Sequence, residues 1–282
     1  GTTNVQVGTQ PGAVSGSAAA GIPSGTVTSN TTTCAGAKGG GTYTYTWHLA
    51  TGSGVTFTNP NSPTTGVTGS IGFNSTASGT MYCTISDGVT SVDTNHVAWS
   101  LTNTSVFTPV THSYTATGTG SETIPTGATQ LVAEDKGGGA GPSFNGTQSY
   151  QCGGGGAAYA RSVIALTSAD WGKTIAFVVG LPGSQNINGN GTPGGDSTIS
   201  SGTFVTPTIT AGGGAGAGSN GVGGTASGGN QVNANGHAGV NGGVGGAAGA
   251  AGEFFDTGNT FGHGATYNTN NNTGGFVSFH YT

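Results

Sequence analysis

The chain has 282 residues, 60 of them glycine, and with 5% charged residues its formal net charge is −5. The basic residues, Lys38, Lys136, Arg161 and Lys173, cannot form a positive patch for phosphates, so no nucleic-acid partner is expected. No apolar run reaches about eighteen residues, so no membrane insertion is expected, and a hydrophobic fraction of 32% allows only a thin core.

Residues 1–25 are small and polar and read as an extended N-terminal arm. The start has neither a basic segment nor an apolar one of the kind a secretory signal carries, and Gly1 fits removal of an initiator methionine. From 26 to 103 short alternating strands are predicted at 26–34, 42–49, 55–58, 70–73, 79–86 and 94–101. Turns fall between them at Lys38-Gly39-Gly40-Gly41, Asn59-Pro60-Asn61 and Asp87-Gly88, where residues tolerate positive φ or fix it. This segment reads as a β-sandwich.

Within it, Cys34, Trp47 and Cys83 follow the order cysteine, tryptophan, cysteine. That order resembles the immunoglobulin fold, in which a tryptophan packs on a disulfide between the two sheets. Met81 stands where the fold's corner tyrosine belongs, and Tyr43-Thr44-Tyr45-Thr46-Trp47 with Met81-Tyr82-Cys83-Thr84-Ile85-Ser86-Asp87-Gly88 more closely resembles Ig-like and PKD-like modules of bacterial surface and phage structural proteins. The resemblance implies that Cys34, Trp47 and Cys83 are structural core and that the two cysteines are placed to pair. Cys152 reads as a small buried thiol, having no neighbouring histidine or basic residue to activate it.

Residues 104–282 form the second predicted domain. Its strands include 112–117, 120–134 interrupted by a turn at 124–129, 156–166, 174–179 and 276–281, and between them lie glycine runs at 137–139, 153–156, 212–214 and 236–252. Runs laced with β-branched and aromatic strands are structural elements and not linkers. The order of Ile124-Pro125-Thr126-Gly127-Ala128-Thr129, the first glycine run, a returning strand, Gly194-Gly195-Asp196 and Gly274-Gly275-Phe276 resembles the glycine-rich end domains of phage tail-fibre and head-fibre proteins. Glycine runs alternating with variable inserts further resemble the distal tail-fibre adhesins of T-even phages. That resemblance implies an all-β fold in which polyglycine-II helices stack and the inserts contact a host receptor. A three-residue extended helix has no internal hydrogen bonds and must bond to its neighbours.

The inserts are 142–151, 184–192, 230–235 and 253–273. Their aromatic and histidine residues, Phe144, Tyr150, Phe254, Phe255, Phe261, His263 and Tyr267, are the candidate receptor-binding residues, because aromatic rings among Asn, Thr and Gly make adaptable contacts and stack on sugars. The competing reading of Phe254 and Phe255 is that they cap the apolar end of the stack.

No nucleophile elbow, zinc-protease helix or paired-cysteine motif occurs, and the histidines are scattered without ligand spacing. The expectation is therefore a non-enzymatic protein with no cofactor and no metal. The resemblances imply a virion protein assembled in the host cytoplasm, a tail fibre or receptor-binding adhesin. Its partners would be other virion structural proteins and a host surface glycan or outer-surface protein, with homo-oligomerisation a further option. Alternatives are a capsid or tail decoration protein, a secreted ice-binding or cell-surface adhesin, and a glycan depolymerase.

Overall fold

The computed structural model describes residues 3–18, 24–145, 152–186, 188–216, 221–240, 244–250, 252, 255–265 and 272–282. The chain is all-β, with no helix among the described residues. It divides into two compact units, Gly1–Phe107 and Thr108–Thr282.

In the first unit the long strand Ser75–Ser86 pairs antiparallel with Thr44–Thr51 on one side and with Ser91–Asp93 and Val97–Asn103 on the other. Alternation drives its placement: Met81, Cys83 and Ile85 are buried while Thr80, Tyr82 and Thr84 stay partly exposed. A three-stranded sheet, Ser24–Thr28, Val67–Gly72 and Val55–Phe57, supplies Val27, Val67 and Ile71 to the same core, where they join Trp47, Trp99 and Leu101. The stretch read as an extended arm contributes strands to this unit. Gln6–Thr9 pairs with Ala35–Ala37, and Val14–Ser17 runs parallel to Val97–Asn103. Val5 and Val14 are buried in the core, which gives these polar segments a reason to dock.

Cys34, Trp47 and Cys83 are all buried, and the Trp47 indole donates from Nε1 to the Ser62 carbonyl over 2.8 Å. The two cysteines are free thiols whose sulfurs lie 2.9 Å apart. The hydrogen bond from Cys34 to Cys83, together with burial, pushes the Cys34 thiol up, and the same bond lowers that of Cys83.

The second unit is built on two five-stranded sheets. One runs in the order Val110–Tyr114, Phe276–Tyr281, Gln130–Lys136, Tyr159–Ala165, Val232–Ala234. The other runs Gly118–Thr123, Thr174–Val179, Ser197–Ser201, Ile209–Ala211, Ala226–Ser227. Their facing side chains form an aromatic core: Phe177 lies 4.3 Å from Tyr114 and 5.7 Å from Phe279, ring centre to ring centre. Gly120 is needed opposite Phe177, because a Cβ there would overlap the ring. At the rim, Glu122 on one sheet accepts from the Tyr114 hydroxyl at 2.5 Å and contacts His112 Nδ1 at 2.8 Å on the other. Desolvation and the Glu122 carboxylate raise the Tyr114 hydroxyl to about 12.

Candidate functional site

The glycine runs are continuations of the strands of the second unit. Segment 137–141 prolongs Gln130–Lys136, and 153–158 leads back into Tyr159–Ala165. In the same way 180–184 follows Thr174–Val179, 192–195 precedes Ser197–Ser201, 212–216 follows Ile209–Ala211, and 221–225 precedes Ala226–Ser227. Segments 236–240 and 272–275 adjoin Val232–Ala234 and Phe276–Tyr281. The chain thus runs out from the sheets and back again.

Hydrogen bonds among the segments repeat every third residue. In 153–158, Gly153 and Gly156 donate to the carbonyls of Val240 and His237, Gly154 and Ala157 to those of Ala265 and Gly262, and Gly155 and Ala158 to those of Ala215 and Gly212, at 2.7 to 3.4 Å. The carbonyls of Gly154 and Ala157 accept from Gly246 and Gly249, those of Gly155 and Ala158 from Ala140 and Gly137, and that of Gly156 from Gly224. Segment 153–158 is therefore bonded to 236–240, 262–265, 212–216, 244–249, 137–141 and 221–225. Segment 137–141 repeats the pattern: Gly137 and Ala140 donate to 153–158, Gly138 and Gly141 to Gly195 and Thr192, and Gly139 to Thr273. Pairing buried amides and carbonyls in this way leaves room for little beyond the methyls of Ala140, Ala157, Ala158 and Ala265. A Cβ on Gly138, Gly139, Gly153 or Gly155 would overlap the carbonyl oxygen of Leu181, His263, Val244 or Val222 respectively.

The same bonds show which connections share an end. Gly141, Gly153, Ser184, Thr192, Val240 and Val244 all lie at the end of the bundle away from the sheets. Two of these connections pair, with Phe144 opposite Gly189 and Asn145 opposite Asn188, while Ser143 bridges to Cys152 and Asn186. Asn272 is anchored between two segments: its Nδ2 donates to the Gly139 carbonyl at 3.1 Å and also to that of Gly183. Val222, Val240 and Val244 flank the connections and stand 66%, 50% and 57% exposed. Sequence reasoning passed over these valines, although a branched aliphatic residue set among glycines, as in Gly221-Val222-Gly223, is the signal that marks them.

The insert read as a single unit over 253–273 is divided by the segment 262–265, which belongs to the bundle. Its first part lies at the end next to the sheets. There Phe255 and Phe261 are half-buried and pack on the fully buried Phe276, with ring centres 5.1 and 5.8 Å from it and 5.6 Å from each other. His263 is half-buried within the bundle, where its amide donates to Thr273 Oγ1 at 2.9 Å and its Nε2 meets the Asn259 carbonyl. The structure thus separates Phe255, Phe261 and His263 from the end at which Phe144 lies. Tyr150, Phe254 and Tyr267 lie outside the described residues.

Beneath Phe276 is a buried polar cluster. The Lys136 ammonium lies 2.5 Å from Asp256 Oδ2 and 2.7 Å from Asn259 Oδ1, and the side chains of Lys136 and Asp256 are completely buried. Glu134, on the same strand face, accepts from the Tyr159 hydroxyl at 2.6 Å. Desolvation lowers the Lys136 ammonium below the usual lysine range, against the opposing pull of Asp256 and Glu134. On the other face of the strand Asp135 is wholly buried, and neither carboxyl oxygen makes a hydrogen bond of ordinary geometry. Burial pushes it well above the usual carboxylate range, offset in part by the Ala211 backbone.

In the first unit a groove of about 440 Å³ is lined by Ser15, Thr51, Ser78, Thr80, Trp99 and Ser100, none of them charged. Among the described residues no group of His, Cys, Asp or Glu is arranged to hold a metal ion, and no helix is long and apolar enough to cross a membrane. The chain matches no family model and no curated protein.

Proposed function

We propose that the chain is a non-enzymatic phage virion protein, a tail fibre or receptor-binding adhesin, whose second unit presents variable connections to a host surface component. One observation carries this reading: the glycine segments bond to one another every third residue, each segment set among several neighbours. A threefold extended backbone bonded to six surrounding segments fits stacked polyglycine-II helices. Such a bundle holds little inside beyond glycine backbone and the methyls of a few alanines such as Ala140, Ala157 and Ala158, so recognition falls to the connections. The first unit, with Cys34 and Cys83 against each other beside Trp47, fits an Ig-like module that spaces or anchors the second. The partners are then other virion proteins and a host glycan or outer-surface protein. Aromatic and aliphatic groups among Asn and Thr, such as Phe144 and the exposed Val240 and Val244, suit such a target.

The test replaces 266–271 with a glycine-serine linker and changes Phe144 and Tyr150 to Ser, leaving the bundle segments intact. Particles are expected to assemble normally and to lose host adsorption. Unchanged adsorption overturns the reading.

A further inference from the structure

The strand Gln130–Lys136 ends in a lysine whose side chain is completely buried, a rare fate for lysine unless it is paired or reactive. Its Nζ lies 5.5 Å from the centre of the Phe276 ring and 5.7 Å from that of Tyr159, so aromatic walls exclude water around it. The group it touches, Asp256 Oδ2 at 2.5 Å, is buried equally well. The opposite oxygen, Asp256 Oδ1, accepts the Thr260 amide at 2.5 Å and the Thr260 hydroxyl at 2.7 Å, and the Phe261 amide is shared between Oδ1 and Oδ2, 3.3 Å from each. The loop is shaped to hold this arrangement: Asp256 and Asn259 both have φ of +53°, an unfavourable backbone for residues with side chains.

An amine and a carboxyl group held in contact, in a dry pocket, with amide donors on the carboxyl oxygen, meet the requirements for acyl transfer: proximity, a nucleophile that can lose its proton, and stabilisation of a developing oxyanion. We propose that Lys136 and Asp256 condense spontaneously into an isopeptide bond that joins the end of the strand to the 256–261 loop.

The ammonium of Lys136 first passes a proton to the Asp256 carboxylate, giving an amine and a carboxylic acid. Burial favours loss of the proton from nitrogen, since desolvation lowers the Lys136 ammonium. The Nζ lone pair then forms a bond to Cγ, and the carbonyl π electrons move onto Oδ1, where the Thr260 amide and hydroxyl hold the charge. A proton moves from Nζ to Oδ2, the Cγ–Oδ2 bond breaks with its electron pair, and water departs. Nothing is oxidised or reduced, and no co-reactant is required. Glu134, buried on the same face and acting on the amine through space, helps to orient the ammonium before the transfer. The bond would close a covalent loop between residues 120 apart in sequence and fasten the bundle to its sheet.

The test is the intact mass of the purified full chain, measured after denaturation, followed by tryptic mapping. The expected mass is lighter than that of the sequence by one water molecule. Trypsin should fail to cut after Lys136, and a branched fragment should link Lys136 to Asp256. The variants Lys136→Met and Asp256→Ala should carry their full calculated masses, whereas Asn259→Ala should keep the water loss. An unshifted mass with clean cleavage after Lys136 overturns the proposal. So does the loss of one ammonia instead of water, which would assign the bond to Asn259. Because the wild-type chain is the primary sample, a variant that fails to fold does not blunt the result.

Discussion

Ala140 and Gly155 sit on neighbouring segments of the bundle, the amide of the first donating to the carbonyl oxygen of the second over 3.0 Å. The absence of a side chain on Gly155 admits a third segment as well: a Cβ there would overlap the Val222 carbonyl oxygen. The backbone on both sides is held by further hydrogen bonds and cannot yield. Gly155→Ala is therefore expected to cost at least about 3 kcal/mol, through overpacking and broken backbone bonds. Gly40→Ala, at a site with nothing within 4 Å, should be close to neutral. Thermal or denaturant unfolding of the two variants makes the comparison.

Ser197 joins the two sheets of the second unit where the bundle begins. Its hydroxyl donates to the Lys136 carbonyl at 2.6 Å and accepts the Gly180 amide at 2.9 Å, and it is fully buried. Ser197→Ala removes a hydrogen bond from each of these two backbone groups, an expected loss of about 1–3 kcal/mol. Ser197→Thr, which keeps the hydroxyl, should retain part of that stability if the added methyl is accommodated. Chemical denaturation curves with an unchanged slope would check both.

Asp135 gives a pH dependence whose direction follows from its burial. Its folded carboxyl titrates well above the unfolded one, so the fold favours the neutral acid. The stability it contributes is complete below about pH 4, the unfolded value, and is lost as pH rises from there through the folded value. Asp135→Asn removes the titration. The difference in melting temperature between variant and wild type should move in the variant's favour as pH is raised from 4 to 8. A difference that stays constant across this range would show that Asp135 is not the group responsible.

In the first unit the Trp47 indole fills the core and also bonds the Ser62 carbonyl. Trp47→Phe keeps an aromatic ring but removes the donor and leaves a small void. A loss of about 1–3 kcal/mol is expected, read by denaturant unfolding with the remaining tryptophans as probes.

The strand pattern of the first unit was legible because side chains alternate between core and solvent: Met81, Cys83 and Ile85 announce their strand. Gln6–Thr9 and Val14–Ser17 were not legible, since few of their residues are apolar and their pairing partners lie far along the chain. The glycine runs declared themselves as structure through their flanking strands. Which run bonds to which was beyond the sequence, because a backbone without side chains carries no code for its neighbour. For the same reason 253–273 read as one insert: Gly262-His263-Gly264-Ala265 has too few glycines to look like a run, yet its backbone occupies a full place beside 153–158. The fully buried Lys136 could not be foreseen from composition, as a lone lysine before a glycine run is ordinarily solvated.

A bundle whose interior is backbone with only a few alanine methyls, such as those of Ala140 and Ala157, has almost no side chains through which an ordinary core could drift by compensating substitutions. Any change at Gly153 or Gly155 meets a carbonyl oxygen that cannot move aside. Change is channelled instead into the connections beyond Gly141, Ser184 and Val240, which can lengthen, shorten or alter composition without disturbing a hydrogen bond within the bundle. The chain thereby divides into a part that inheritance must copy faithfully and a part free to diversify.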